Sequence, residues 1–169
     1  MNFTIDWNEW FIFISSTIIF GLFFLIRKYF PLALVIIIWV FNIEFVASID
    51  YFLVGTPFKL YYFSDNSSYE ASAAIYHFIM YPCASLLFLF GYDKWELYGK
   101  KTVWYIIAWT GFSLFFEWLC VKNHVLTYTG WKFYYSIPTY PTASVLLIVL
   151  FHFIKKKLKD PIFMCSRKI

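Results

Sequence analysis

Charge is what this sequence lacks most. Asp, Glu, Lys and Arg make up 14% of its 169 residues, where water-soluble domains carry about 25%. Hydrophobic residues make up 62%, and Phe alone contributes 22. No soluble fold of this length has an interior large enough to hide that much apolar surface, so lipid must serve as solvent for much of it. Glycine is also scarce, at 6 residues, and no Gly-rich phosphate loop, nucleophile elbow or His-Glu-x-x-His pattern occurs. The 3 cysteines, Cys83, Cys120 and Cys165, share no metal-site or redox spacing and read as free, space-filling residues. Met1 to Glu9 holds Asp6 and Glu9 but no Lys or Arg. That stretch lacks the basic n-region of a signal peptide, so the first apolar segment is expected to stay as a helix. No internal repeat is evident.

The long apolar runs predict an all-α polytopic membrane helix bundle with five transmembrane helices. One integral membrane domain occupies residues 1–169. The expected spans are Trp10 to Ile26, Pro31 to Val54, Ala71 to Gly91, Thr102 to Val121 and Ile137 to Ile154, with a basic tail over 155–169. Pro31 suits a first helical turn, and Gly55-Thr56-Pro57 ends the second span. Pro82 lies inside the third and should kink it, provided a neighbour satisfies the carbonyl it frees.

Arg27, Lys28, Lys94, Lys100, Lys101, Lys155, Lys156, Lys157, Lys159, Arg167 and Lys168 would then lie on one side, against Lys59, Lys122 and Lys132 on the other. Eleven against three places the N-terminus outside and the C-terminus in the cytoplasm. The lysine-rich tail reads as a topology anchor with the usual attraction to anionic lipid, not as a nucleic-acid site.

Two longer loops, 56–70 and 122–136, fall on the outer side. The segment Val125 to Tyr135 has strand-forming residues around Thr129-Gly130 and can make a small local hairpin. Its Tyr128, Trp131 and Tyr135 fit interfacial aromatics as well, and that reading is favoured.

Acids at membrane depth are the sharpest signal. An Asp at a helix centre costs about 2.5–3.5 kcal/mol on insertion scales, with Glu similar. Glu117 interrupts the fourth span and Glu44 the second, with Asp50 nearer the outer interface and His77 in the outward half of the third. Thr110, Ser113 and Glu117 make one helical stripe; Glu44, Ser48 and Tyr51 make another. Two such stripes are expected to face each other or a shared cavity. Asp50 is about a third of a turn from Glu44, so those two acids cannot pair on one face. The candidate cluster is therefore Glu44, Asp50, His77, Ser113 and Glu117. Helix-to-helix hydrogen bonding is its bland role. A metal site from His77, Glu44 and Glu117 is chemically possible, but no spacing requires it, and none is expected; nor is a cofactor.

Phe116-Glu117-Trp118-Leu119-Cys120-Val121-Lys122, followed by Tyr128, Trp131 and Tyr135-Ser136, resembles the pattern of an uncharacterised family of small multi-pass membrane proteins from Bacillus- and Clostridium-type bacteria. Tyr81-Pro82 fits it as well. The resemblance covers the third to fifth spans. It implies a bacterial plasma membrane and the same topology, and it brings no activity.

Three functions are compatible with this chain. The first is a non-catalytic envelope protein acting through membrane lipids, a membrane-protein partner or a second copy of itself. The second is a small oligomeric proton- or cation-coupled transporter using Glu44 and Glu117. The third is an outer-leaflet lipid-modifying enzyme with Glu117 as acid/base and His77 as its partner. Whether Glu44, His77 and Glu117 converge on one cavity is the observation that separates them.

Overall fold

The computed structural model describes residues 6–55, 59–63 and 74–159. Within these residues, five α-helices alternate in direction: α1 (Trp7–Ile26), α2 (Leu32–Asp50), α3 (Tyr81–Lys94), α4 (Lys100–Lys122) and α5 (Ser136–Lys159). Two short strands, β1 (Tyr61–Phe63) and β2 (Leu126–Tyr128), pair antiparallel at one end of the bundle. We call this the sheet end and the opposite one the lysine end. Among the described residues, four helical segments are long and apolar enough to cross a membrane: Trp7–Tyr29, Leu32–Val54, Lys100–Lys122 and Phe133–Leu158.

The chain's acids and prolines set several helix limits. The α1 helix starts three residues before the expected Trp10, because the Asp6 N–H donates to the Glu9 carboxylate at 2.8 Å and caps the first turn. Pro31 sits just before α2 as its extended N-cap. The α5 helix runs past the expected Ile154 into the lysines. Lys is a good helix former, and cations suit a helix C-terminus. Lys155 there donates to Asp93 at 2.7 Å, and Tyr29 donates to the other Asp93 oxygen at 3.1 Å, which ties α5, α3 and the α1–α2 turn together.

The third span departs most from expectation. Its residues 71–73 lie outside the described residues. A π-helical turn, Tyr76–Met80, precedes α3 and abuts Pro82. Proline has no N–H to give to Phe78, four residues back. The Trp39 indole N–H of α2 fills that place, donating to the Phe78 carbonyl at 3.0 Å. Trp39→Phe removes this donor, and it should lower stability by about 1 kcal/mol, read as a lower thermal midpoint in detergent.

Apolar residues pack into two clusters. Towards the lysine end, Leu34, Ile38, Leu86, Phe88, Leu89 and Phe151 are almost fully buried. Gly91 belongs to this region: a Cβ there would lie 2.5 Å from the Tyr105 hydroxyl, which reaches across from α4 to the Phe88 carbonyl. Towards the sheet end, Ile12, Phe63, Tyr76, Met80, Cys120 and Val125 form the second cluster. Cys83 and Cys120 are buried and free, and Cys165 lies outside the described residues. Outside these clusters the helices expose a coat of Phe, Ile, Leu and Val, with exposed Trp7 and Trp10 towards the sheet end and Trp95, Tyr98 and Trp104 towards the lysine end. That is the surface a bilayer solvates, aromatic at both margins.

A recurrence that follows no single sequence period appears once the helices are paired. The hairpins α2–β1–α3 and α4–β2–α5 are built to one plan. Asp50 ends α2, and Tyr61, 11 residues on, donates to it; Glu117 lies near the end of α4, and Tyr128, 11 residues on, donates to it. Tyr61 and Tyr128 are register partners in the sheet. The returning helices carry Tyr81-Pro82-Cys83-Ala84-Ser85 and Tyr140-Pro141-Thr142-Ala143-Ser144. The two units thus stand side by side, joined through their strands.

Candidate functional site

Each acid near the sheet end clasps the loop that follows it. One Glu117 oxygen accepts from Tyr128 and from the Ser136 hydroxyl at 2.7 Å, and the other accepts from Tyr140 at 2.8 Å. The Trp131 indole donates to Ser136 at 3.0 Å. Glu117 is only 8% exposed, so these hydroxyls stand in for the water that a carboxylate needs. All three donors lie within the next 23 residues of chain. The acid therefore fixes β2 and the start of α5 onto the end of α4.

Asp50 does the same for the other unit. Tyr61 donates to one oxygen, and His77 Nε2 lies 2.7 Å from the other. His77 is stacked against Tyr81 and edge-on to Phe63. Burial pushes the Tyr61 and Tyr128 phenols above their ordinary range; after burial, Asp50 acts on Tyr61 and Glu117 on Tyr128 in the same direction. Both phenols stay neutral donors. Between the strands, the Leu60 carbonyl accepts from three successive N–H groups, those of Thr129, Gly130 and Trp131, at 2.8–2.9 Å. A Cβ on Gly130 would lie 3.0 Å from Leu60 Cδ2, so the lack of a side chain there lets Leu60 close over the turn.

The strand expected in Val125 to Tyr135 is present at Leu126–Tyr128, but it does not fold back across Thr129-Gly130. Its partner is β1, from the other loop, because the Thr129–Trp131 N–H groups are already turned to Leu60. Trp131 is half-buried against Tyr61 and Tyr135. Tyr135 is largely exposed.

Below this layer lies a cavity of about 420 Å³, within the range of about 300–1,000 Å³ usual for ligand sites. It lies between the two hairpins, with α1 along one side. Its walls are mainly apolar, including Ile18, Phe45, Phe88, Trp109, Phe112 and Leu147. Glu117 and Tyr140 line it towards the sheet end. Ser113, one turn earlier on α4, also lines it, and Thr110, one turn further, is buried. Both Tyr-Pro-x-Ala-Ser segments contribute the same three positions: Tyr81, Ala84 and Ser85, and Tyr140, Ala143 and Ser144.

The second polar stripe does not face this cavity. Glu44, Ser48 and Tyr51 are exposed on the outer side of α2, and Glu44 forms no hydrogen bond or ion pair among the described residues. Glu44, His77 and Glu117 therefore do not converge: Glu117 lines the cavity, His77 stands behind Tyr81, and Glu44 turns away. The buried polar residue that α2 does send inward is Asn42, which the linear reading passed over. Its amide donates to the Ile38 carbonyl at 2.7 Å and accepts from Ser85 at 2.6 Å. Tyr61, Ser136 and Tyr140 were also not singled out as acid partners. The 11-residue acid-to-tyrosine spacing and the repeated Tyr-Pro-x-Ala-Ser are the signals that point to them. Among the described residues no group of three or more His, Cys, Asp or Glu is arranged to hold a metal.

Comparison with known proteins leaves the geometry to stand alone: no family model, curated protein or solved structure matches the chain.

Proposed function

We propose that this chain is a non-catalytic integral membrane protein that holds a membrane amphiphile between its two helical hairpins. The observation that carries the reading is the cavity: a largely apolar space among the helices, with the Glu117 carboxylate and the Tyr140 hydroxyl bonded to it lining its part nearer the sheet end. An acyl or isoprenoid chain matches those walls.

The topology completing this proposal has five crossings, the third made by residues 74–94, with the sheet end and N-terminus outside and the lysine end in the cytoplasm. Support comes from the alternation of the helices and the eleven-to-three partition of Lys and Arg. The bacterial plasma membrane is inferred from the family resemblance.

A non-catalytic role is favoured because Glu117 already accepts three hydrogen bonds from the protein's own hydroxyls, which ties it in place. The transporter reading relied on Glu44 acting with Glu117, and Glu44 faces outward on α2.

Photolabelling tests the proposal. A single-chain amphiphile with a mid-chain diazirine is incorporated into liposomes with the protein. Labels are expected on Ser113, Phe116, Ala143 and Leu147, which line the cavity, above the level on outward-facing Val103, Trp104, Phe115 and Val145. Labelling spread evenly over the exposed coat would refute it.

A further inference from the structure

The donors and acceptors inside the cavity are not all in use. In each repeated segment one polar group is engaged by the protein and its counterpart is not. Tyr140 donates to Glu117, whereas the equivalent Tyr81 makes no hydrogen bond among the described residues. Ser85 donates to Asn42, whereas the equivalent Ser144 makes none. Ser113 is likewise unengaged and lines the same space. The lining holds one acid, Glu117, and no Lys, Arg or His among the described residues.

From this we infer that the ligand's head is uncharged, a hydroxyl or carbonyl, held by Tyr81, Ser144 and Ser113, with its chain running toward Phe88 and Leu147. An anionic head would find no cation and would meet the Glu117 carboxylate at low dielectric. A cationic head would have to compete with three hydroxyls already bound to that acid. A neutral head meets open hydroxyls, which both donate and accept.

The inference rests on the amphiphile-binding reading, and the test separates the two. Hexadecanol, palmitate, hexadecylamine and hexadecane compete with the photolabel in liposomes. Hexadecanol is expected to displace it at a concentration at least tenfold lower than palmitate or hexadecylamine. Tyr81→Phe and Ser144→Ala should each weaken hexadecanol roughly three- to tenfold, the range of one neutral hydrogen bond, and leave hexadecane unchanged. Palmitate or hexadecylamine matching hexadecanol would overturn the neutral head and leave the cavity reading intact. Displacement by none of the four would overturn the cavity reading itself.

Discussion

Glu117→Leu should destabilise the protein by about 3 kcal/mol or more. Three hydroxyls, from Tyr128, Ser136 and Tyr140, lose their common acceptor at once. Each buried donor left without a partner costs about 1–3 kcal/mol. Ser136 is 3% exposed and has no water to turn to. The leucine recovers some apolar contact, which offsets part of the loss. Glu117→Gln should be much milder, because its carbonyl still accepts and Tyr140 can accept from its amide by turning its hydroxyl. Thermal unfolding in detergent reads the difference. Equal loss in both variants would mean that the charge of Glu117, and not its hydrogen bonding, holds the layer.

Asp50→Leu should cost about 2–3 kcal/mol, through the orphaned Tyr61 hydroxyl and the loss of the contact to His77. The informative quantity is the double variant. Tyr61 and Tyr128 are partners across the sheet, so breaking either clasp loosens the same two strands. Glu117→Leu combined with Asp50→Leu should therefore cost less than the sum of the two, with a coupling of about 1 kcal/mol. Strict additivity would mean that the two clasps act independently and the sheet joins them in name only.

Much of this architecture is legible in the sequence. Pro82 announced a break that a neighbour would have to repair, and Trp39 repairs it. The burial of Glu117 followed from the energetic cost of a carboxylate at depth. The failure at Glu44 has a physical cause. In a membrane protein the outward face of a helix is as apolar as the inward one, so hydrophobic periodicity does not say which way a polar stripe points. Glu44, Ser48 and Tyr51 were assigned inward on spacing alone, while Asn42, a single polar residue, was the one buried on α2. The repeated plan of the two hairpins escaped notice for a different reason. Loops of unequal length separate each acid from its Tyr-Pro-x-Ala-Ser segment, so no fixed period runs through the chain, and only the sheet register brings the matching positions side by side.

The central claim is that the space between the hairpins is a ligand site, and native mass spectrometry of the protein released from its own membranes tests it most directly. Wild type should carry one retained amphiphile per chain. Ala84→Phe combined with Ala143→Phe, which fills the cavity from its two equivalent wall positions, should release that ligand while the protein keeps its thermal midpoint within a few degrees. A wild-type mass with no ligand, or a ligand retained equally by the filled variant, would contradict it.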